Sequence, residues 1–223
     1  MFDVGGTLVR SHDFNGVAEA ALSVGIDVDP ESLNQAYQEV EEEYDRLWGS
    51  MGLPAFWQEL LSRASGSVVS LERAVAVIDR ASRIPPKHEL YSDVLRCLDA
   101  LQDQGYWLGV VSNGHSEANT RKILEQVGIL DRFRTVVTSG TEAVAKPEPE
   151  IFLRAVQRIG VPPAESVYVG NLANVDARAA TRAGLVGVWL NRAGTGLGDD
   201  PPEITSLTEL PILVETVLAA PVK

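Results

Sequence analysis

Four stretches of this chain place residues able to do chemistry just after strand-like runs. They are Asp3-Val4-Gly5-Gly6-Thr7-Leu8, Ser112-Asn113-Gly114-His115, Lys146-Pro147, and Gly170-Asn171 followed by Asp176. Together they supply a carboxylate, a hydroxyl with adjacent backbone amides, a lone lysine and a second carboxylate. Such a set can bind and attack an anionic group: a nucleophile, donors to its oxygens, and a cation against developing charge. Each piece alone says little. Asp176 suits a helix start favoured by the dipole, Ser-Asn-Gly is an ordinary way to leave a strand, and Lys-Pro is a common pair.

Residues so far apart in sequence need a scaffold that gathers them. From Tyr91 onward, apolar runs at Tyr106–Ser112, Thr135–Thr138, Ser166–Gly170 and Leu185–Asn191 alternate with amphipathic stretches. Those stretches lie near Glu117–Val127, Pro149–Ile159, Val175–Ala183 and Leu207–Leu218. Continuous apolar strands between helices predict an α/β fold, a doubly wound parallel sheet covered on both faces. Ligands of such sheets bind beyond the carboxyl ends of the strands. From about Asp13 to Arg83 the apolar spacing is helical instead. Asp29-Pro30 reads as an N-cap with proline at the first helical position, opening a helix with Leu33, Tyr37, Val40, Tyr44 and Leu47. Pro54 opens another through Leu60 and Leu61, and Leu71–Ile78 belongs to a third. Gly194–Pro202 reads as a surface loop.

Taken in order, the four stretches resemble the motifs of the haloacid dehalogenase superfamily of hydrolases. Asp3 with Gly6-Thr7-Leu8 matches the first motif, Ser112 the second and Lys146-Pro147 the third. Gly170-Asn171, with Asp176 five residues on, matches the fourth, whose usual form is Gly-Asp. The helical stretch after the first motif resembles the family's cap of the first type. The resemblance therefore implies a Rossmann-like core of residues 1–10 and 89–223 with a helical cap at 11–88. It implies a phosphatase of a small phosphorylated metabolite in which Asp3 attacks phosphorus and forms an aspartyl-phosphate. Thr7, Ser112 and the amide of Asn113 would hold phosphate oxygens, and Lys146 would orient Asp3. Mg²⁺ would lie on Asp3, the Gly5 carbonyl and Asn171, with Asp176 in support.

Three departures qualify this expectation. Phosphatases of the family usually carry a second aspartate where Gly5 stands. General acid–base help is typically worth roughly 10² to 10⁴ in rate, so turnover is expected to be slow unless His12 or His115 substitutes. Asn171 removes a full negative charge from a hard-cation site, so a weakened Mg²⁺ site is expected. Only Met1 and Phe2 precede Asp3, although a strand normally needs about five residues, and an upstream start in the gene is expected. A 2-haloacid dehalogenase of the same fold is the alternative enzyme, since it needs no metal carboxylate at position 171. Against it, such dehalogenases tend to carry a tyrosine at the position of Gly5 and a Ser-Ser-Asn run near the fourth motif, and neither is present. A catalytically eroded binding protein is the non-enzymatic alternative.

Composition narrows the partners. The 223 residues hold 19 basic and 31 acidic side chains, a net charge of −12. Such a surface repels nucleic-acid backbones and anionic lipid, so neither partner is expected, while a small anionic substrate remains compatible with a local basic pocket. The single cysteine, Cys97, fits a reducing compartment and excludes an internal disulfide. No apolar run nears the roughly 18 residues that span a bilayer, and Met1-Phe2-Asp3 lacks a secretory pattern, so a cytoplasmic protein is expected, monomeric or a weak homodimer. Arg10 and Arg46 could contact a leaving group, but a solvated face is the expected place for each. The four tryptophans, Trp48, Trp57, Trp107 and Trp189, are expected in the cores, with Trp48 or Trp57 alternatively facing the cleft, and Glu41-Glu42-Glu43 on a helix surface.

Overall fold

The computed structural model describes residues 1–10, 14–46, 52–84, 88–114, 116–194 and 201–219. Strand β1 (Val9–Arg10) precedes four helices, α1 (Phe14–Leu22), α2 (Pro30–Arg46), α3 (Leu53–Ser65) and α4 (Leu71–Ala81), and β2 (Glu89–Leu90) follows them. Next come α5 (Val94–Asp103), β3 (Leu108–Ser112), α6 (Glu117–Gln126), β4 (Phe133–Thr138), the short α7 (Ser139–Glu142) and α8 (Pro149–Ile159). The chain then forms β5 (Val167–Gly170), a π turn at Ala173–Ala177 running into α9 (Arg178–Arg182), β6 (Val186–Leu190), β7 (Glu203–Ile204) and α10 (Leu210–Ala219). Two compact units result: Ser11–Lys87, and Met1–Arg10 together with His88–Lys223.

In the second unit, β3 pairs in parallel with β4, and β5 with β6, which pairs with β7. The first three residues join these two halves. Phe2 donates its amide to Gly109 and accepts from Val111, while Asp3 donates to Val169 and Met1 accepts from it, all at 2.9–3.0 Å. The order is thus β4-β3-(Met1–Asp3)-β5-β6-β7, with the short first segment at the centre. Strand alternation sends neighbouring residues to opposite faces. Phe2, Val110, Val136, Val169 and Val188 pack in one core with residues of α5, α6 and α10. Val111, Val137 and Tyr168 pack in another with Ile151 and Phe152 of α8 and Ala179 and Ala180 of α9. Both faces are covered, so every central strand position can be apolar, as a parallel sheet requires.

The antiparallel pair β1–β2 sets the outgoing and returning chain side by side, Val9 opposite Leu90 and Arg10 opposite Glu89. The helical unit forms for the reasons its sequence suggests. Asp29 Oδ1 accepts the amides of Glu31 and Ser32, each at 2.9 Å, capping α2 ahead of Pro30. Ser70 caps α4, and α3 stops at Gly66 with φ 64°. Leu33, Val40, Leu60, Leu61 and Val77 form its buried core, on which Tyr37 and Trp57 pack. Trp107 corrects the expectation for the tryptophans: it is 48% exposed, with the Arg134 guanidinium 3.7 Å over its ring. Its strand-like run begins before the sheet does, so position 107 lies outside the covered faces. Among the described residues no helix is long and apolar enough to cross a membrane.

A cavity of about 600 Å³ opens at the amino ends of β3 and β5, lined by Met1, Tyr106, Trp107, Val161, Val167 and Leu218 among others. It is mostly apolar, with Glu165 and Ser166 in its wall, and it lies at the opposite end of the sheet from the residues with chemistry.

Candidate active site

At the carboxyl ends of the strands, three sequence-distant groups converge. The Lys146 ammonium donates to Asp3 Oδ1 and to Asp176 Oδ1, both at 2.6 Å. All three residues are buried, at 4%, 6% and 0% exposure, so the pairs are shielded from water. One positive charge facing two negative ones leaves an excess negative charge in a desolvated place. Burial, reinforced by Asp176 and opposed by Lys146, pushes the Asp3 carboxyl up to about 6. Burial works to lower the Lys146 pKa, but Asp176 and Asp3 outweigh it and hold the ammonium firmly charged.

Local structure explains each placement. Asp3 ends the central segment, and the chain then turns back sharply, with the amides of Leu8 and Val9 both donating to the Val4 carbonyl at 2.9 Å. Gly6 sits in that turn at φ 75°, and a Cβ there would stand 2.6 Å from the Asn171 amide nitrogen. A side chain there would press on Asn171 and strain the backbone, which glycine avoids. Buried Thr7 donates to Asn171 Oδ1 at 3.4 Å, and the Trp189 indole donates to the Asn171 carbonyl at 3.0 Å. Asp176 is brought under the end of β5 by the π turn, a device frequent at functional sites. Gly170 makes room for it, since a Cβ there would lie 2.3 Å from the Asp176 carboxyl carbon. Both Asp176 oxygens are engaged, Oδ1 by Lys146 and Oδ2 by the Leu172 amide at 3.1 Å.

Asn113, expected only as a backbone donor, uses its side chain too. Its Nδ2 donates to the Lys146 carbonyl at 2.9 Å and its Oδ1 accepts the Lys146 amide at 2.8 Å. The Ser112-Asn113 turn and the Lys146-Pro147 turn are thereby knitted together, with Lys146-Pro147 in the cis form. Ser112 stands half-buried at the end of β3, and Gly5 half-buried in the first turn. His12, His115 and Trp48 lie outside the described residues. Arg10 is exposed and stacks at 4.8 Å over Tyr91, and Arg46 pairs with Glu43 on the surface of α2.

Two groups escaped the sequence reading. Tyr168 is fully buried, and its hydroxyl accepts from Lys146 at 2.9 Å. A tyrosine in an apolar strand two residues before Gly170 was the available signal, since a buried phenol needs a partner. The second is Arg192, two residues beyond β6, at a carboxyl end like the others. Its guanidinium grips Asp93 at 2.8 and 3.1 Å, donates to the Thr7 carbonyl at 2.9 Å and covers the Tyr91 ring at 3.9 Å. Burial works against the Asp93 charge, yet the bonds from Arg192, Leu207 and Ser206 hold its carboxyl below the usual range.

A buried carboxylate clamped by a buried lysine stands at the carboxyl edge of a doubly wound sheet, where ligands of such sheets bind. The model of the haloacid dehalogenase-like hydrolases matches residues 1–184, and the chain belongs to that family. It is 34% identical over 199 residues to a glyceraldehyde 3-phosphate phosphatase of Methanopyrus kandleri, covering 86% of this chain and 83% of that one. It is 30% identical over 235 residues to (S)-2-haloacid dehalogenase 4A of Burkholderia cepacia, covering 99% and 96%. Among solved structures, a predicted phosphoglycolate phosphatase of Haemophilus somnus superposes with a TM-score of 0.72 at 22% identity, covering 95% of each chain. That last likeness is one of fold.

Proposed function

We propose that this hydrolase is a phosphatase of a small phosphorylated metabolite, with Asp3 as nucleophile and Lys146 as its fixed counter-charge. The observation that carries the reading is the Lys146 ammonium, 2.6 Å from both Asp3 and Asp176 and sealed from water. An Asp3 oxygen attacks phosphorus, the bond to the leaving oxygen breaks, and water then cleaves the aspartyl-phosphate to release inorganic phosphate and restore Asp3. Thr7, Ser112 and the Asn113 amide hold the phosphoryl oxygens. Phosphatase relatives of comparable length support this class, including a phosphoserine phosphatase of Thermus thermophilus at 28% identity over 172 residues.

The donor set fits Mg²⁺, because Asp3, the Gly5 carbonyl and the Asn171 amide oxygen are all hard oxygen ligands. They bring one full carboxylate charge. Asp176 adds field but not coordination, since Lys146, Tyr168 and Leu172 occupy its oxygens. When bound, Mg²⁺ would offset charge on the transferring phosphoryl group. Gly5 has no side chain to protonate the leaving oxygen, so good leaving groups are the preferred substrates of this reading.

The neutral Asn171 favours a second reading, a 2-haloacid dehalogenase in which Asp3 attacks carbon and expels halide. Turnover of p-nitrophenyl phosphate across a Mg²⁺ titration, with EDTA and Asp3→Asn as controls, tests the first. Metal-dependent turnover lost in Asp3→Asn supports the phosphatase. No turnover at any Mg²⁺ level overturns it, and chloride release from 2-chloropropionate then separates the dehalogenase from a protein that only binds.

A further inference from the structure

Lysine carries its charge on a flexible four-carbon stem with three rotatable donors. Two carboxylates alone would leave the Lys146 ammonium free to slide between them. The third donor goes to the Tyr168 hydroxyl at 2.9 Å, so every N–H of the ammonium has an acceptor. The phenol is itself fixed. Its oxygen lies 3.0 Å from the Val111 carbonyl and 3.1 Å from Asp176 Oδ1, with one proton for that pair. Its ring meets Phe152 edge-on at 4.8 Å and 84°, within a fully buried core. Val111 precedes Ser112, so Tyr168 spans from β5 to the backbone that carries the phosphate-holding turn.

We propose that Tyr168 is a positioning residue of the reaction: by anchoring the Lys146 ammonium to the Val111 carbonyl, it sets where that charge stands relative to Asp3. The inference rests on the phosphatase reading for its kinetic consequence, but the placement of the ammonium can be read without turnover. Tyr168 does not touch substrate. It acts through Lys146, whose charge must be shared between Asp3 and the incoming phosphoryl group without moving away from either.

The test is Tyr168→Phe in the full-length protein, which removes the hydroxyl and keeps the ring. With p-nitrophenyl phosphate and Mg²⁺, kcat is expected to fall about 10- to 100-fold, the scale of a misplaced catalytic group, with KM within about twofold. The chain has four lysines, so ¹⁵N side-chain spectra isolate the Lys146 ammonium, assigned by its absence in Lys146→Arg. In the wild type its protons are expected to exchange slowly, and in Tyr168→Phe at least about tenfold faster. Unchanged kcat with slow exchange retained overturns the proposal. So does a kcat loss matched by a large rise in KM and a collapse of thermal stability, which a merely structural role would give. Should Tyr168→Phe fail to fold, Phe152→Leu loosens the ring and leaves the hydroxyl; a kcat loss of a few-fold at constant KM is expected, and wild-type kcat overturns the proposal. If the wild type turns over no phosphate ester, the phosphatase reading fails alone, and the ammonium exchange decides the positioning role.

Discussion

The candidate site has two halves that obey different physics. On the inner side, Asp3, Lys146, Asp176 and Tyr168 are buried, and every charged atom among Lys146 and Asp176 has a partner within 3.1 Å. On the outer side, Gly5 and Asn171 are half-buried and stand where the resemblance to the family's phosphatases leads one to expect carboxylates. Loss of Lys146 would strand two carboxylates in a desolvated place, which costs about 3–5 kcal/mol. Loss of an outer carboxylate leaves only water-accessible groups, which solvent can satisfy. Departures from the family pattern therefore sit where folding tolerates them, and their expense falls on chemistry alone.

The comparison breaks first at Asp3→Asn. It deletes the proposed nucleophile, and turnover is expected to fall about 10³-fold or more. Stability should move the other way. Because the Asp3 pKa is raised to about 6, its contribution to stability is full below the ordinary value of 3.8 and lost as pH rises through about 6. At pH 7 the ionised Asp3 is a burden, and an amide leaves Lys146 and Asp176 as a balanced pair. Urea unfolding at pH 7 should find Asp3→Asn at least as stable as wild type; a marked loss would mean that the inner half does not carry an excess charge.

Lys146→Ala is the converse and strands two carboxylates. Turnover should vanish, and the midpoint should drop by the equivalent of about 3–5 kcal/mol at neutral pH. The deficit should shrink toward pH 5, as Asp3 takes up its proton. A deficit independent of pH would show that lost packing, not stranded charge, is what the variant reports.

Next in size is the acid limb of the reaction. Asp3 must be ionised to attack, so kcat/KM of the wild type should fall about tenfold per pH unit below about 6 at low Mg²⁺. Added Mg²⁺ favours the carboxylate and should move the limb to lower pH. A limb near 4 at low Mg²⁺ would mean that Lys146 outweighs burial.

Much of this was legible in the residues. The four apolar runs become β3, β4, β5 and β6 because a strand covered on both faces has little freedom in composition. Asp3, Lys146 and Asp176 could be gathered by their places after strands. What was not legible depended on where a side chain points. Tyr168 reads as one more apolar core residue until alternation puts its hydroxyl under Lys146, and Asn113 reads as a turn former until its amide meets the Lys146 backbone. Trp107 looked like core because hydropathy does not reveal where the covering helices end. Helix α5 was passed over, since Cys97, Leu98 and Leu101 give a short apolar face between the return strand and β3.

The smallest predicted effect sharpens the outer half. Asn171→Asp restores one negative charge beside Gly6 and Thr7. At about 4 Å and an effective dielectric near 20, a unit-charge interaction is worth about 4 kcal/mol gross. Desolvation and repulsion from Asp3 offset most of it, leaving roughly tenfold tighter Mg²⁺, or about 1.4 kcal/mol. The same repulsion acts without metal, so the variant should melt below wild type in EDTA and recover as Mg²⁺ is added, a crossing that a thermal-shift titration reads directly. Because Asp and Asn are nearly isosteric, the Thr7 and Trp189 contacts to residue 171 survive and the change is one of charge. Parallel melting curves with no Mg²⁺-dependent crossing would mean that the metal does not lie on residue 171, and the proposed metal role of the outer half would have to be redrawn.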